Sequence, residues 1–417
     1  MRVVLLTEVF ARNMGYLENL LPKYLGRLGV DAHVVAMDVP PYHPMNAKES
    51  KVTYGGFADS TDLVPGSVEV LQGFTLHILS HKKMFGRLKM VDLREKLASL
   101  RPDIVQATHV IGWIPLQAAI AKPLLGYKFF TAAHYHASVF PLARKKLSPW
   151  STERLVCGIT RTVPGWLVSQ ATEKCYAITT DCADVAVRFF GVPKTKIELC
   201  SLGVDTELFH TISNEIEDEA RVELRQRLGF SESEIVCIYT GRFSEEKNPL
   251  LLAKAIAELT ELGQPFRGLF VGNGAQAKAI QSCSRCVTHP FVPVHELGNF
   301  YRASDVGVWP TQESLSILDA AACGLPIVAN QGMAAPERLD GNGLAYKLND
   351  QGDLVRVLLE LRDPRTRERL GSIGAQKMAR DFSWESVARR RLQDYEYALR
   401  TRKRQGEAAI SKEEFLG

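Results

Sequence analysis

The chain of 417 residues contains no uninterrupted apolar run of about 18 or more residues, so the sequence predicts no transmembrane helix. The first apolar run, Val3–Leu6, is far too short for the hydrophobic region of a signal peptide. We therefore expect a protein that is made in the cytoplasm and stays there. The length exceeds one ordinary hydrophobic core and fits two domains of typical size.

The sequence also lacks a disulfide framework and a recognisable metal site. Its eight cysteines are scattered, as in a reducing compartment. Cys283 and Cys286 have the spacing of a metal-binding pair, but no second pair of Cys or His lies nearby, and a zinc site needs about four ligands. No Asp-x-Asp metal motif occurs either. We expect two partly buried thiols and no metal cofactor.

Charge is unevenly distributed along a chain whose net charge is +4. Residues 1–205 contain 24 Lys and Arg against 17 Asp and Glu, a balance of +7, whereas residues 206–417 contain 27 against 30, a balance of −3. A basic first half favours an anionic partner on that side. No zinc finger, RNP sequence or other nucleic-acid motif supports DNA or RNA as that partner.

Short β-branched runs alternate with longer amphipathic segments, which indicates βαβ units around parallel sheets. In the first half a helix is expected near Gly15–Leu28, and residues 39–75 are expected to form an irregular or β-hairpin insertion. The predicted strands of that half are Val3–Leu6, Ala32–Ala36, Ile104–Ala107, Lys128–Ala132 and Cys175–Thr179.

The pattern pauses near Asp205 and then restarts. We predict one domain over residues 1–205, a second over 206–385, and a last helix with a frayed tail over 386–417, the tail beginning at Arg402. Predicted elements of the second half are strands Ile235–Tyr239, Gly268–Val271, Val306–Trp309 and Pro326–Ala329, and helices Pro249–Leu262, Ser316–Ala322 and Trp384–Leu399.

The most informative segment is Tyr239-Thr-Gly241-Arg242-Phe-Ser-Glu-Glu-Lys247-Asn-Pro249. A strand ends in glycine, and a loop with two cations then runs into a helix, which is where α/β folds bind phosphates. Arg242 can form forked contacts with a diphosphate, and Lys247 supplies a compact charge. The alternative is a solvated loop with incidental charges.

This segment resembles the Gly-Arg-Leu-x3-Lys-Gly motif of family 4 retaining glycosyltransferases. Four further pieces resemble the same family: Gly203–Phe209 its interdomain linker, Phe270–Gly274 its nucleotide-side turn, Phe291-Val292-Pro293 with Leu297–Asp305 its base-binding segment, and Phe382–Glu385 its closing helix. The resemblance is nearly continuous over residues 200–400. It implies the GT-B fold, in which two Rossmann-like domains face each other across a cleft and the C-terminal helix closes back toward the N-terminal domain.

The resemblance also implies donor-binding residues in the second half. The family signature is a Glu, seven residues and a second Glu. Asp319 takes the second place, where a carboxylate can accept hydrogen bonds from ribose hydroxyls. Only five residues separate it from Glu313, so either the loop is shorter or Thr311 stands in the first place. We prefer Glu313 as the sugar-facing catalytic residue. The alternative for Glu313 is a helix-start acid that favours the dipole.

Backbone N–H groups near Leu315 and Ser316 are then expected to hold the β-phosphate. Gly241, Gly272 and Val292 complete the donor-binding set that the resemblance implies.

In the first half, two histidines follow a predicted strand. Family members carry a His there that reaches the donor sugar, and His134 fits better than His136 because it follows the strand directly. An isolated His is more often structural. The paired-glycine loop of the family is replaced by Gly15-Tyr16. Gly15 still allows the backbone to come close to the ligand, whereas the Tyr16 side chain would crowd it. Tyr16 and the second histidine, His136, are the candidates for the acceptor side.

The expected activity is retaining transfer of a sugar from a nucleoside diphosphate to a hydroxyl acceptor, in glycolipid, polysaccharide or other glycoconjugate synthesis. Arg242 and Lys247 would neutralise the leaving diphosphate, as a divalent metal does elsewhere. The alternatives are an inactive partner subunit of the same fold, motivated by the altered carboxylate spacing, and a phosphorylase or epimerase.

Two basic segments of the first half also contain apolar side chains. They are His81–Val91 and Leu142–Leu147 with nearby Trp150. Such a surface is typical of proteins that bind an anionic bilayer. This interpretation predicts a lipid or lipid-linked acceptor and a peripheral location at the inner face of the cell membrane. The alternative is a solvated surface, or cations that grip a soluble anionic acceptor.

Overall fold

The computed structural model describes residues 1–12, 14–39, 63–138, 140–145, 148, 150–311 and 314–413, with side chains described as far as Thr401. Two parallel sheets, each with its own hydrophobic core, account for most of this chain.

The first sheet has eight strands in the order β10-β9-β8-β7-β1-β2-β4-β3. All neighbours are parallel except β3 and β4, which form an antiparallel hairpin. A separate antiparallel hairpin consists of β5 and β6. The strands are β1 Arg2–Leu6, β2 Asp31–Met37, β3 Val68–Leu71, β4 Phe74–Leu79, β5 His81–Met84, β6 Arg87–Met90, β7 Ile104–Ala107, β8 Lys128–Ala133, β9 Thr172–Ala177 and β10 Ile197–Leu199.

Helices connect the parallel strands of this first sheet. They are α1 Leu17–Arg27, α2 Leu93–Leu100, α3 Trp113–Leu125, α4 Thr152–Cys157, α5 Val163–Ala171 and α6 Thr180–Phe190. A π-helical turn, Gly158–Thr162, joins α4 to α5, and short 3-10 turns occupy Pro141–Arg144 and Lys194–Lys196.

The second sheet has six parallel strands in the order β13-β12-β11-β14-β15-β16. This is the doubly wound order 3-2-1-4-5-6. Its strands are β11 Ile235–Thr240, β12 Phe266–Val271, β13 Cys286–His289, β14 Val306–Trp309, β15 Ile327–Asn330 and β16 Gly343–Tyr346. The helices are α7 Glu215–Arg227, α8 Pro249–Glu261, α9 Ala277–Gln281, α10 Val294–Arg302, α11 Ser316–Ala322, α12 Gln351–Glu360 and α13 Pro364–Asp381, with a 3-10 turn at Pro336–Arg338.

Helices cover both faces of a parallel sheet, so its central strands are buried on both sides. These strands therefore consist of nearly continuous apolar sequence. Every residue of β11 is buried, and Val3–Leu6 of β1 are equally enclosed. In both sheets the strand order reverses at the first strand, between β1 and β7 and between β11 and β14. Loops that leave the carboxyl ends of strands at such a reversal form the ligand crevice of α/β folds.

The last helix, α14, spans Trp384–Glu413 and returns to the first domain. Trp384, Val387 and Tyr395 belong to the first hydrophobic core, and the Tyr395 hydroxyl donates to Gln106 Oε1. The prediction of a closing helix is therefore confirmed. The expectation of a frayed tail from Arg402 was wrong, because the helical backbone continues to Glu413.

Two sets of hydrogen bonds join the domains. Val204 N donates to Phe382 O at 2.8 Å, and Trp384 N donates to Val204 O at 3.0 Å, so the outgoing and returning segments are bound side by side. The Asp205 carboxylate accepts from Tyr24 Oη at 2.7 Å and from Lys23 Nζ at 3.0 Å. These bonds tie helix α1 of the first domain to the linker.

Candidate functional site

A cavity of about 420 Å³ lies between the carboxyl ends of the two sheets. Both domains contribute to its walls, as expected for a site that forms across a cleft. Its polar and glycine lining comprises Gly15, Tyr16, His136, Gly203, Asp205, Gly241, Arg242, Lys247, Asn273, Ser314, Ser316, Asp319 and Arg338. Its apolar lining comprises Met14, Leu20, Ile178, Leu208, Phe209, Phe291, Val292, Val294, Leu297, Leu315 and Trp384.

The loop between β11 and α8 brings both predicted phosphate-binding cations to this cavity. Arg242 and Lys247 line it together with Gly241. The Tyr239 hydroxyl donates to the Arg242 carbonyl at 3.0 Å, which fixes the start of the loop. Pro249 begins α8 at the position where a helix tolerates proline best. A short loop anchored at both ends thus presents two positive charges beside a helix N-terminus.

Gly272 does not line the cavity but holds two of its loops together. Its φ is +145°, and a Cβ atom there would lie 2.0 Å from the carbonyl oxygen of Gly241. Only glycine permits this approach. Asn273, the next residue, reaches the cavity wall. Gly272 thus supports Gly241 through backbone packing, and direct contact of Gly272 with the donor stays a prediction.

Asp319 lies one turn into α11, where Leu315 and Ser316 begin the helix and also line the cavity. Burial raises the pKa of the Asp319 carboxyl from 3.8 to about 8, and the neighbouring Asp205 charge adds to the shift. In its ionised form this carboxyl can accept hydrogen bonds from ligand hydroxyl groups.

Glu313 and Thr311 are the two candidates for the first Glu of the family signature. Glu313 lies outside the described residues. Thr311 is described but is not among the residues that line the cavity, and its hydroxyl donates to the Glu246 carbonyl. Glu313 as the sugar-facing residue therefore stays a prediction.

The two histidines after β8 take different positions. His136 lines the cavity, whereas His134 does not. The assignment of His134 to the donor sugar stays a prediction. Burial lowers the pKa of His134 to about 3, and the charges of His109, Arg391 and His136 act in the same direction. His134, the first residue after β8, therefore stays neutral.

The surroundings of His136 in the folded protein favour its protonated form. Burial lowers its pKa, but hydrogen bonds to Asp181 and Cys182 and the charge of Asp181 outweigh burial and raise the pKa to about 10. Its Nδ1 lies 3.2 Å from Asp181 Oδ2, and that carboxylate also accepts from the Ala137 N–H at 2.8 Å. Burial opposes ionisation of Asp181, but these donors lower its pKa. The first domain thus contributes a histidine whose protonated form is favoured to the same cavity as Arg242 and Lys247.

The same groups form the one cluster of possible metal ligands among the residues that the structure describes. Ligand atoms of His136, Asp181 and Cys182 lie within 4.8 Å of one another. The Asp181 carboxylate already accepts from Thr179 Oγ1 and Ala137 N as well as from the imidazole. A protein hydrogen-bond network accounts for this arrangement, and the absence of a metal requirement stays a prediction.

Several cavity residues were not identified from the sequence. Asp205, Asn273 and Trp384 belong to segments that the resemblance covers, yet no spacing singles them out. Arg338 is the last residue of the 3-10 turn Pro336–Arg338, which matches no motif, and it is buried at the cavity wall as a further cation. Its only sequence signal is an arginine in an otherwise apolar and acidic stretch.

In the loop before α1, the acceptor-side candidate Tyr16 occupies the N-cap position of that helix and lines the cavity, as does the predicted donor-binding residue Gly15. Gly15 approaches the second domain so closely that a Cβ atom on it would lie 3.2 Å from Val294 Cγ2. A Cβ atom at position 15 would therefore require the Val294 side chain to shift by a few tenths of an ångström.

Two family models match consecutive parts of the chain. Residues 20–208 match the model described as Glycosyltransferase Family 4, and residues 234–363 match the model described as Glycosyl transferases group 1. Together they cover both domains on either side of the linker.

Curated relatives are named as glycosyltransferases. A D-inositol 3-phosphate glycosyltransferase of Thermomonospora curvata is 29% identical over 250 residues, which are 55% of this chain and 58% of the relative. One of Streptomyces griseus is 24% identical over 392 residues, 86% of this chain and 82% of the relative. The chain thus spans little more than half the length of the first of these relatives.

Solved structures show the same fold at low identity. Sucrose-phosphate synthase from Thermosynechococcus elongatus has a TM-score of 0.66 at 15% identity and covers 96% of this chain and 99% of its own. Anabaena Alr3699/HepE in complex with UDP has a TM-score of 0.66 at 15% identity, with 94% and 99% covered. The expected fold is confirmed, and the chain belongs to glycosyltransferase family 4, with the GT-B fold.

Proposed function

We propose that this protein transfers a sugar from a nucleoside diphosphate sugar to a hydroxyl acceptor with retention of anomeric configuration. One observation carries the proposal. Two cations of one loop, Arg242 and Lys247, and a carboxyl group that can accept hydrogen bonds, that of Asp319, line the same interdomain cavity. That set matches the two parts of a nucleoside diphosphate, an anionic diphosphate and a ribose with vicinal hydroxyl groups.

The relatives support this proposal. Anabaena Alr3699/HepE was solved with UDP and with UDP-glucose, and the curated relatives are named as glycosyltransferases. A volume of about 420 Å³ falls in the usual range for a small-molecule site. Phe291 and Val292 would contact the base, while Arg242 and Lys247 would bind the diphosphate.

In the proposed reaction the bond between the anomeric carbon and the diphosphate oxygen breaks as the acceptor oxygen bonds to the same face of that carbon. The acceptor proton passes to the departing phosphate oxygen, so no protein nucleophile is needed. Arg242 and Lys247 stabilise the negative charge that develops on the diphosphate. The His136 imidazolium and the Arg338 guanidinium add further positive charge at the cavity wall.

We further propose that the acceptor is anionic and linked to a lipid, and that the protein is peripheral to the inner face of the cell membrane. The basic balance of residues 1–205 supports a negatively charged acceptor. The relatives are named for an inositol phosphate. No helix in the described part of the chain is both long and apolar enough to cross a bilayer.

The donor is tested by a thermal-shift screen with UDP, GDP, ADP and dTDP, because a ligand that binds only the folded state raises the unfolding temperature. We expect one base to stabilise the protein clearly more than the others. Turnover of the matching nucleotide sugars is then measured as release of nucleoside diphosphate with and without acceptor.

The same assay separates the rival functions. An inactive partner subunit would bind a nucleotide but release no diphosphate with any acceptor. An epimerase would convert the sugar nucleotide without an acceptor, and a phosphorylase would require inorganic phosphate instead of a nucleotide sugar.

A further inference from the structure

Large apolar side chains are exposed side by side on one part of the first domain. Ile159 and Leu124 are each 74% exposed, and Trp150 is 85% exposed. We refer to this set as the apolar ridge, and it consists of Ile120, Leu124, Trp150, Leu155, Val156, Ile159, Val163, Trp166 and Leu167. Isolated exposed apolar residues are normal in soluble proteins, but a contiguous patch marks an interaction site.

The ridge residues lie on elements that are joined in sequence or pack on one another. Helix α4 runs through the π-helical turn Gly158–Thr162 directly into α5, and α5 packs against α3, which carries Ile120 and Leu124. The buried sides of these helices face the first core through Val168, Ala118 and Cys157. The exposed apolar side chains are therefore in excess of what the fold itself needs.

The β5–β6 hairpin extends the same surface past the start of α3. The Trp113 indole N–H donates to the Met84 carbonyl at 3.0 Å, and the Phe85 ring stacks against Trp113 with centroids 6.2 Å apart. Phe85 is 88% exposed and has a φ of +48°, a conformation that non-glycine residues rarely adopt. A strained turn that holds an aromatic ring out in solvent indicates a functional constraint.

The charges around the ridge are almost all positive. Residues 81–91 contain four Lys and Arg and no Asp or Glu, and residues 141–171 contain five against one. The single acid, Glu153, is paired with Lys145 at 2.7 Å. Lys82, Lys83 and Arg154 are exposed. A positively charged apolar surface complements an anionic bilayer, in which apolar side chains enter the interface and cations contact the head groups.

The charge distribution also argues against a second copy of the chain as the occupant. A two-fold interface brings the same patch of both subunits together. Here it would place two sets of cations against each other without acids to neutralise them, and like-charge contacts oppose association. Anionic lipid supplies the missing negative charge.

The surface adjoins the acceptor side of the cleft. Arg161 of the π-helical turn lies over the Phe140 ring, 5.1 Å from its centroid. Phe140 and Tyr135 both pack against the Phe190 ring. Tyr135 directly precedes His136, which lines the donor cavity. A hydroxyl acceptor held in the interface would therefore enter the cleft beside the donor.

We infer that the apolar ridge and the β5–β6 hairpin form a docking surface for an anionic bilayer. Docking itself does not depend on the proposed transferase activity, whereas delivery of a lipid-linked acceptor to the cleft rests on it.

The test uses the full chain and vesicles of phosphatidylcholine with or without 30 mol% phosphatidylglycerol. A ridge variant carries Leu155→Ser, Ile159→Ser and Trp166→Ser, and a charge variant carries Lys82→Ser, Lys83→Ser and Lys145→Ser. The matched control replaces three exposed apolar residues of the second domain, Ile216→Ser, Leu262→Ser and Leu348→Ser. Binding is measured by co-sedimentation at low and high salt, and insertion by the blue shift of tryptophan fluorescence.

We expect the wild type and the control to bind the anionic vesicles at least tenfold more tightly than neutral ones, with binding lost at high salt. The ridge and charge variants should each lose at least tenfold in affinity, and the blue shift should disappear in the ridge variant. Equal binding by the ridge variant and the wild type would overturn the inference. Failure of the wild type to bind anionic vesicles at low salt would also overturn the inference. This holds if the protein is monomeric and if it forms a dimer that the ridge substitutions abolish.

The thermal shift caused by the preferred nucleotide separates this inference from the proposed function. The ridge variant should retain the full shift, which also shows that it is folded. A wild type that binds vesicles but no nucleotide would leave the docking surface intact and refute the donor assignment. The reverse result would refute the docking surface alone.

Discussion

Replacement of Asp319 by Asn is expected to remove a pH dependence from donor binding. Burial raises the pKa of this carboxyl to about 8 in the ligand-free cavity. If the carboxylate accepts hydrogen bonds from the ribose hydroxyl groups, the protonated form is not competent to bind. Since apparent affinity scales with the competent fraction, the dissociation constant should fall about 50-fold between pH 6 and pH 8, as that fraction rises from about 1% to about 50%.

The assay is isothermal titration calorimetry with the nucleotide sugar that the thermal screen selects. A nucleotide sugar is preferred to a free diphosphate because a terminal phosphate itself titrates near pH 6. Binding at pH 6.5 should release close to one proton, visible as a dependence of the measured heat on the ionisation enthalpy of the buffer. Asp319→Asn should bind weakly, with neither proton release nor a pH slope.

Asp319→Asn should also stabilise the ligand-free protein. A carboxyl whose pKa is raised by folding contributes no penalty below its unfolded value of 3.8, and the penalty grows as the pH rises to about 8. The variant should therefore unfold at a higher temperature than the wild type at pH 8 and at nearly the same temperature at pH 4. A flat affinity profile in the wild type, or equal affinities of wild type and variant, would refute the assignment of Asp319 to the ribose.

Three further predictions concern the cavity. Arg242→Ala and Lys247→Ala should each lower kcat at least about 100-fold, the scale of losing one charge-stabilising donor, measured as release of nucleoside diphosphate. Asp181→Asn removes the main partner of His136, so the pKa of this histidine should fall from about 10 toward 6.5, with the rate kept at pH 6 and lowered about tenfold at pH 7.5 in a pH–rate profile. Gly272→Ala forces a Cβ atom against a backbone carbonyl 2.0 Å away and should lower the unfolding temperature together with nucleotide affinity.

Each of these predictions has a distinct contrary result. Near-normal rates in both cation variants would exclude the loop after β11 as the diphosphate site. An Asp181→Asn profile that overlies the wild-type profile would show that the charge of His136 is not used. Gly229→Ala is the control for Gly272→Ala, because Gly229 also has a positive φ but open space around its Cβ position. Equal loss in both would assign the effect to backbone conformation rather than to packing.

The sequence by itself determined the fold class, the central strands and one wall of the site. Buried parallel strands require continuous apolar runs, so β11 and β14 were predicted to within a residue. The two loop cations could be assigned to a phosphate site because a strand, a glycine and a helix start are all local features. These inferences succeed because periodicity and loop chemistry act over about ten residues.

Tertiary structure decided whatever depends on contacts between distant segments. The Asp181 carboxylate that contacts His136 lies 45 residues away in the chain, and no spacing in the sequence reveals that contact. Gly272 was expected at the ligand, yet its close contact is with the backbone of another loop. The apolar ridge is also a tertiary feature, because a helix periodicity shows which side chains share a face but not which face the rest of the protein leaves uncovered.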